Sequence, residues 1–449
     1  MSQVEVAHSG LFDDETFFLS LTNPTATVDQ RELEAEAIEL LDHPLVVQGR
    51  ENAFMRFKVM ASKYGANAPA EAFEGIEAKM QEWAFHYLLL GLNHDFNFPK
   101  VLNHGYGPPH KWLGMDVPGC RGLGTAENPD NNYCFIPIGY ANRYELHGRI
   151  SPESPIEDVN FWLTNNLSMS SNVAGLMWQD VVKSDDGTFV ITIDSDPADG
   201  RDNHIRSTPD TQRLFIRDSR KDWGEIPNAY RIVRLGEPTA PPIDQETKLQ
   251  MAKRFIIDDM ATNFWFRMMV GYLEPNTITG PDNTGDIGGM ITQKILRGRV
   301  DLESDEAFVL TTDPGGSDYW NIVAYDWWLM SMDFWDHTSS LNNFQSVAND
   351  DGSYTHVFAR QDPGVHNWID VEGLHYSLFL LRWQQLPQAA AEGAADRWIA
   401  AGEPQAECKL VKLVDLKDAL PPETRWVTED QRRDEIASRL AQFNRRHEV

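Results

Sequence analysis

The chain has 449 residues, 68 acidic side chains against 39 basic ones, and a formal net charge of −29 at pH 7. That balance excludes nucleic acid and anionic membrane surfaces as partners, because both require basic patches. Hydrophobic residues make up 41 % and aromatics 11 %, ample for packed cores, and at ~100–200 residues per domain the length suggests at least two domains. The three cysteines, Cys120, Cys134 and Cys408, include no CxxC pair, which argues against a disulfide framework and against zinc. Met1-Ser2-Gln3-Val4-Glu5 lacks a signal-peptide pattern. The apolar run at Tyr87-Leu88-Leu89-Leu90 is far below the ~18–20 residues of a membrane span. A soluble, cytoplasmic protein is expected.

The first third reads helical. Asp29 with Glu32 makes a capping-box signature, and Leu33, Ala37, Ile38 and Leu41 recur at helical spacing until Pro44. The first 50 residues hold 10 acidic and 2 basic side chains, so the outer face of this helix is negative. A second helix is predicted over 52–64, ended by Gly65. A third starts near Pro69 and carries Phe73, Ile76, Met80, Trp83 and Tyr87 on one stripe. From about Asn128 the period changes to two. Strands are predicted over 133–138, 144–148, 188–193, 213–217 and 230–235, the third following the hairpin signal Asp185-Asp186-Gly187. A Pro-rich linker over 237–242 precedes a long, buried, Phe- and Met-rich helix over 245–272, and 275–289 reads as an irregular loop. Residues 308–383 are β-rich again. The remainder reads helical, closing on an amphipathic helix from Thr428 with Ile436, Leu440 and Phe443 on one face.

The two β-rich parts repeat one another. Asp185-Asp186-Gly187, a strand, Asn203-His204-Ile205 and Leu214 to Arg217 match Asp350-Asp351-Gly352, a strand, Asn367-Trp368-Ile369 and Phe379 to Arg382. From Gly187 to Asn203 is 16 residues, and from Gly352 to Asn367 is 15. The repeat predicts two related β-sandwich modules with helices covering their outer faces; reuse of one turn chemistry by unrelated sheets is the alternative.

The stretches Asp318 to Asp326, Thr338 to Asn342, Asp362 to Asp370 and Leu380-Leu381-Arg382-Trp383 resemble the C-terminal module of a bacterial family called domain of unknown function 1214. The resemblance runs over roughly 289–387. Asn128 to Tyr133, and Arg217-Asp218 before Asp222-Trp223, are similar to the segment that precedes that module in long members. The resemblance implies a β-sandwich architecture and a bacterial, often catabolic setting. It supplies no catalytic residues.

Several chemistries lack their motifs. The sequence has no Walker loop, no strand-GxGxxG-helix unit, no HExxH and no Gly-x-Ser-x-Gly elbow. His94, His104 and His110 gather around a Gly/Pro loop, but their spacing is too loose to demand a metal, and a structural role is favoured for them. The densest grouping is Tyr325-Asp326-Trp327-Trp328 through Asp333-Phe334-Trp335-Asp336-His337. Here His337 is the candidate base, with Asp333 and Tyr325 as catalytic partners, and Trp327, Trp328 and Trp335 form the wall a hydrophobic substrate needs. Asn342, His366, Asn367 and Arg382 are the candidate polar contacts. Against this stands a Trp-rich core with capped turns, in which Asn203 and Asn367 cap turns alike and Arg217 and Arg382 pair with buried carboxylates.

The expected fold is α+β: an N-terminal helical region (1–110), a jelly-roll-like antiparallel β-sandwich (111–240), a connecting helix and loop (241–290), a second sandwich (291–386) and a C-terminal helical segment (387–449). The expected function is a cofactor-independent lyase, without a metal, using general acid–base chemistry on an aromatic or terpenoid-like small molecule. A non-catalytic carbohydrate- or ligand-binding protein is the rival. No nucleic-acid or membrane partner is expected, and a homo-oligomer is possible.

Overall fold

A computed structural model describes residues 11–64, 68–104, 107–122, 126–151, 158–165, 172–271, 273–287, 290–390, 398–400 and 402–448. The predicted stops at Gly65 and Gly289, the helix end at Tyr272 and the first five residues lie outside the described residues. The first helix, α1 (Val28–Leu40), opens at Thr27, whose hydroxyl accepts from the Gln30 amide. The cap is therefore not Asp29, which falls in the first turn, where a carboxylate still meets the positive end of the helix. Pro44 both ends that run and starts α2 (Pro44–Tyr64), well before the predicted residue 52, because a missing N–H is harmless in a first turn. A 3₁₀ turn (Ala70–Phe73) precedes α3 (Ile76–Leu92), where Met80, Trp83 and Tyr87 are buried. The long helix α4 (Gln245–Gly271) crosses α3 so closely that a Cβ on Gly91 would lie 2.6 Å from the Ala252 Cα. Leu249, Ala252 and Ile256 bury its first half; the Phe- and Met-rich side chains of its second half lie outside the described residues.

The first sandwich is built from β1 (Leu102–His104), β2 (Asn131–Pro137), β3 (Arg143–Arg149), β4 (Asp158–Thr164), β5 (Asn172–Met177), β6 (Thr188–Asp194), β7 (His204–Arg206), β8 (Arg213–Ser219) and β9 (Ala229–Leu235). A five-stranded sheet runs β1-β2-β8-β4-β5 and a four-stranded one β9-β3-β6-β7. Successive side chains alternate faces. Cys134, Ile136, Leu214 and Ile216 meet Leu146, Ile191 and Ile193 of the other sheet, while Tyr133, Phe135 and Phe215 turn outward onto the helices. This first sheet is therefore covered on both sides.

The second sandwich contains β10 (Thr277–Asn283), β11 (Lys294–Asp301), β12 (Glu306–Asp313), β13 (Tyr319–Tyr325), β14 (Ser340–Asn342), β15 (Tyr354–Ala359), β16 (Trp368–Asp370), β17 (Tyr376–Gln384) and β18 (Gln405–Lys412). Its sheets run β10-β11-β17-β13-β14 and β18-β12-β15-β16, the same order strand for strand as the first. Even the parallel pair recurs, β6 with β7 and β15 with β16. Two sequence expectations are corrected. The segment 275–289 is largely strand β10, paired with β11 through a bulge between Thr279 and Asp282 where Gly280-Pro281 breaks the alternation. The C-terminal segment is not simply helical, because β18 pairs with β12 along its whole length. Its charged, exposed edge carries little of the apolar alternation that marks a strand.

The repeated turns are chemically identical. Gly187 and Gly352 have φ of +79° and +87°. Before them, the carboxylates of Asp186 and Asp351 accept from the amide and hydroxyl of Thr188 and of Ser353. Asn203 bridges both backbone groups of Val182 (2.7 Å each), and Asn367 does the same to Val347 (2.8 Å each). After a short helix, α5 (Leu416–Ala419), the chain closes with α6 (Glu429–Asn444), opened by a Thr428/Gln431 capping box. Its buried stripe is Arg432, Arg439 and Phe443, while Leu440 is exposed and Ile436 half-buried. The arginines can be buried because their donors are satisfied: Arg432 by the carbonyls of Val365 and His366 and the carboxylates of Asp362 and Glu435, Arg439 by the carbonyls of Phe334 and Ser340. No described helix is long and apolar enough to cross a membrane.

Candidate active site

The residues singled out in the sequence do not converge on one point. Trp327 and Trp328 are 2 % and 1 % exposed and belong to the core under the helices, with Trp328 packed edge-on against Phe57 and Phe73. Trp335 packs with Phe334 and Phe443. The Tyr325 hydroxyl donates to the Glu127 carbonyl at 2.8 Å, and Arg382 donates to the Ala126 carbonyl at 2.5 Å, with no carboxylate paired to it among the described residues. Asn342 accepts from the amides of Phe344 and Gln345 and donates to the Lys221 carbonyl. Asn367 is the turn bridge already described. His366 borders a separate recess of about 20 Å³ with Asn349, Thr355 and Arg425.

Around His337 the carboxylate partner is Asp370, not Asp333. His337 Nδ1 lies 2.8 Å from Asp370 Oδ2, and the Glu372 amide donates to the other Asp370 oxygen. Asp333 instead accepts from Arg121 at 2.7 Å, and Arg121 also makes a two-pronged pair with Glu82. The hydrogen bond that His337 donates to Asp370 raises the His337 pKa to about 9. The ring is an imidazolium at neutral pH, and so it is poorly suited to the role of base that its sequence position suggested.

A second set of titratable groups converges on a cavity of about 60 Å³. It lies among α1, α3, β1, the hairpin of His110–Trp112 and Met115–Val117, and the residues that follow α6. Glu34, His104, Cys120, Arg220, Arg446 and His447 are among its walls. The volume admits about two water-sized groups.

Helical periodicity puts Gln30, Leu33, Glu34 and Ala37 on the buried stripe of α1. Gln30 serves as a substitute strand for the free edge of β1: its Oε1 accepts from the Asn103 amide at 2.8 Å and its Nε2 donates to the Asn103 carbonyl at 3.0 Å. The Glu34 carboxyl accepts from Gln30 Nε2 at 2.9 Å and from Trp112 Nε1 at 2.7 Å. Burial still outweighs these two bonds and lifts Glu34 to about 7. At neutral pH it is divided between acid and carboxylate.

Strand β1 delivers His104, whose Nε2 sits 2.6 Å from His86 Nδ1 on α3. Burial pushes both imidazoles down, His104 to about 3, so both are neutral and one ring donates to the other. Cys120 Sγ lies 3.9 Å from the remaining His104 nitrogen. Burial pushes that thiol up to about 12, which keeps it protonated and unactivated as a nucleophile. His447 stacks on His110 at 3.7 Å, and burial lowers it to about 2. Among the described residues no group of three or more His, Cys, Asp or Glu is placed to hold a metal ion. Of the histidine cluster noted in the sequence, His104 and His110 reach the cavity, whereas His94 packs on Phe96 and Phe255. The one sequence sign of Glu34 was an acid within the apolar stripe of an otherwise amphipathic helix.

The strand order and the Asp362 to Trp383 core place the second sandwich among known folds. Residues 297–384 match a family model described as a protein of unknown function, DUF1214. The second sandwich carries this DUF1214 module. An uncharacterized protein from Burkholderia cenocepacia shares the fold at a TM-score of 0.63 and 20 % identity, over 84 % of this chain and 99 % of its own. The VPA0106 protein from Vibrio parahaemolyticus aligns at a TM-score of 0.37 and 11 % identity, over 75 % of this chain and 100 % of its own. No curated protein matches the chain. The DUF1214 module holds His337, whereas every cavity residue named above lies outside the matched stretch.

Proposed function

We propose that this chain is an enzyme that uses general acid–base chemistry on a small molecule, with the junction cavity as its site and Glu34 as the group that moves the proton. One observation carries the reading: a buried carboxyl held at about 7 shares a cavity with a neutral imidazole. Paired titratable groups driven apart by their environments are how a fold does acid and base work near neutrality. His104, kept neutral by burial, would hydrogen-bond the bound substrate, with His86 engaging its other ring nitrogen. The acid–base character expected from the sequence is kept, but its location moves from His337 to Glu34. The aromatic wall is not kept, since Trp327 and Trp328 are sealed in the core; the same burial weakens the sugar-stacking rival. A cytoplasmic setting is part of the proposal, supported by the three unpaired thiols.

The test compares metabolites of a deletion strain carrying wild type or Glu34→Gln. The amide keeps an acceptor for Trp112 and removes the titrating proton. Accumulation of a compound with the variant that wild type clears supports the site; full clearance by a folded Glu34→Gln protein sinks it.

A further inference from the structure

We infer that the junction cavity binds a small carboxylate anion, held by Arg446 and Arg220, and that the substrate or product of the chain carries such a group. The inference rests on the cavity being the functional site, but not on which residue moves the proton.

The argument is one of unmatched charge. Arg446 enters from the 3₁₀ turn after α6 (Arg445–His447), seven residues beyond Arg439 on the same side of the helix. Its Nη2 donates to the Pro129 carbonyl at 2.9 Å, while its Nε and Nη1 are buried and meet no acceptor among the described residues. Arg220, 2 % exposed just after β8, donates one Nη1 bond of 3.3 Å to the Glu225 carbonyl, and its Nε is likewise unsatisfied. Neither forms an ion pair among the described residues. A buried guanidinium with no carboxylate in contact is costly, and so are its unmade hydrogen bonds.

Asp218, Glu225 and Asp130 attract Arg220, and Asp130 attracts Arg446, but among the described residues none is in ion-pair contact with either guanidinium. Asp130 is occupied by Trp223 Nε1 and the Tyr319 hydroxyl, both at 2.7 Å, and by Asn321 Nδ2 at 3.2 Å. Asp218 accepts from the amide and side chain of Asn228 at 3.1 and 3.0 Å. Glu34 holds Gln30 and Trp112 on the same cavity. Two cations on a cavity wall with free N–H groups fit a planar oxyanion, which guanidinium recognises through paired bonds. The volume of about 60 Å³ restricts the buried portion to a group of formate or acetate size.

The test titrates the full chain, in HEPES free of chloride and carboxylates, with sodium acetate, acetamide and sodium chloride, read by calorimetry and thermal unfolding. Acetate should bind at least about tenfold more tightly than its uncharged isostere and raise the melting temperature. Arg446→Met and Arg220→Met should each weaken acetate about tenfold or more, yet melt no lower than wild type in anion-free buffer, because each removes a buried unpaired charge. Equal binding of acetate and acetamide, absence of acetate binding, or chloride binding as tightly as acetate would each overturn the carboxylate site. So would arginine variants that melt lower and keep wild-type acetate affinity. Glu34→Gln separates the two readings: unchanged acetate affinity with unchanged turnover removes the acid–base role of Glu34 and leaves the carboxylate site standing.

Discussion

Two imidazole–carboxylate groupings in this molecule are made from the same residue types and behave in opposite ways. At His337 the ring is half exposed and bonded to Asp370, which pulls its pKa up to about 9. At His104 the ring is buried and bonded to another imidazole, and its pKa falls to about 3, while Glu34 on the same cavity rises to about 7. An adjacent carboxylate favours the charged ring; desolvation favours the neutral ring and the neutral acid. The histidine that looks catalytic by spacing is held charged by the buried Asp370, and on the cavity the group brought near neutrality, Glu34, is one the core has desolvated.

The comparison can be broken most sharply at Glu34. Glu34→Gln should lower turnover by roughly 100-fold or more, whereas alanine at both His337 and Asp333 should leave turnover within about twofold; the deletion-strain assay reads both. Stability gives the next test. The folded pKa of Glu34 lies above its ordinary value of 4.5, so its contribution is fully present below pH 4.5 and is lost as pH rises through about 7, by up to about 3 kcal/mol. Urea unfolding should show Glu34→Gln gaining on wild type across that window, and parallel curves would contradict the raised pKa.

Arg121 links Glu82 on α3 to Asp333 in the DUF1214 module. Arg121→Ala should cost about 2–4 kcal/mol, since it strands Glu82, whose side chain is 14 % exposed, while Asp333→Ala, at 42 % side-chain exposure, should cost under about 1 kcal/mol. Asn203→Ala and Asn367→Ala should each cost about 1–3 kcal/mol by leaving a bridged amide and carbonyl unmatched, and similar values would confirm that the two copies use one turn. The smallest effect belongs to His337→Ala. Its loss should be under about 1 kcal/mol below pH 6.5 and should vanish as pH rises through about 9, where the wild-type ring gives up its proton.

The legible part of the fold was the part written in local chemistry. Asp186-Gly187 and Asp351-Gly352 announce the same turn because a carboxylate accepting from the next residues and a positive-φ glycine are requirements of neighbours in the chain. The stripe on α3 and the start of the last helix at Thr428 were equally readable. Strand β18 was not, because an exposed edge strand has only one face to bury and can carry charge on the other. In the site, the histidines near residue 104 were visible, but their worth was not: His94 and His104 differ in what packs against them, and only one lines the cavity.

Sequence alone determined the two-copy β architecture, the helical start and the acidic balance, since periodicity, turn chemistry and composition act over short separations. Tertiary structure alone decided that Glu34, His104, Cys120, Arg220 and Arg446 share one cavity. These residues lie hundreds of positions apart at the extremes, and what tunes them is desolvation, a property of the packed surroundings and not of the neighbours in the chain.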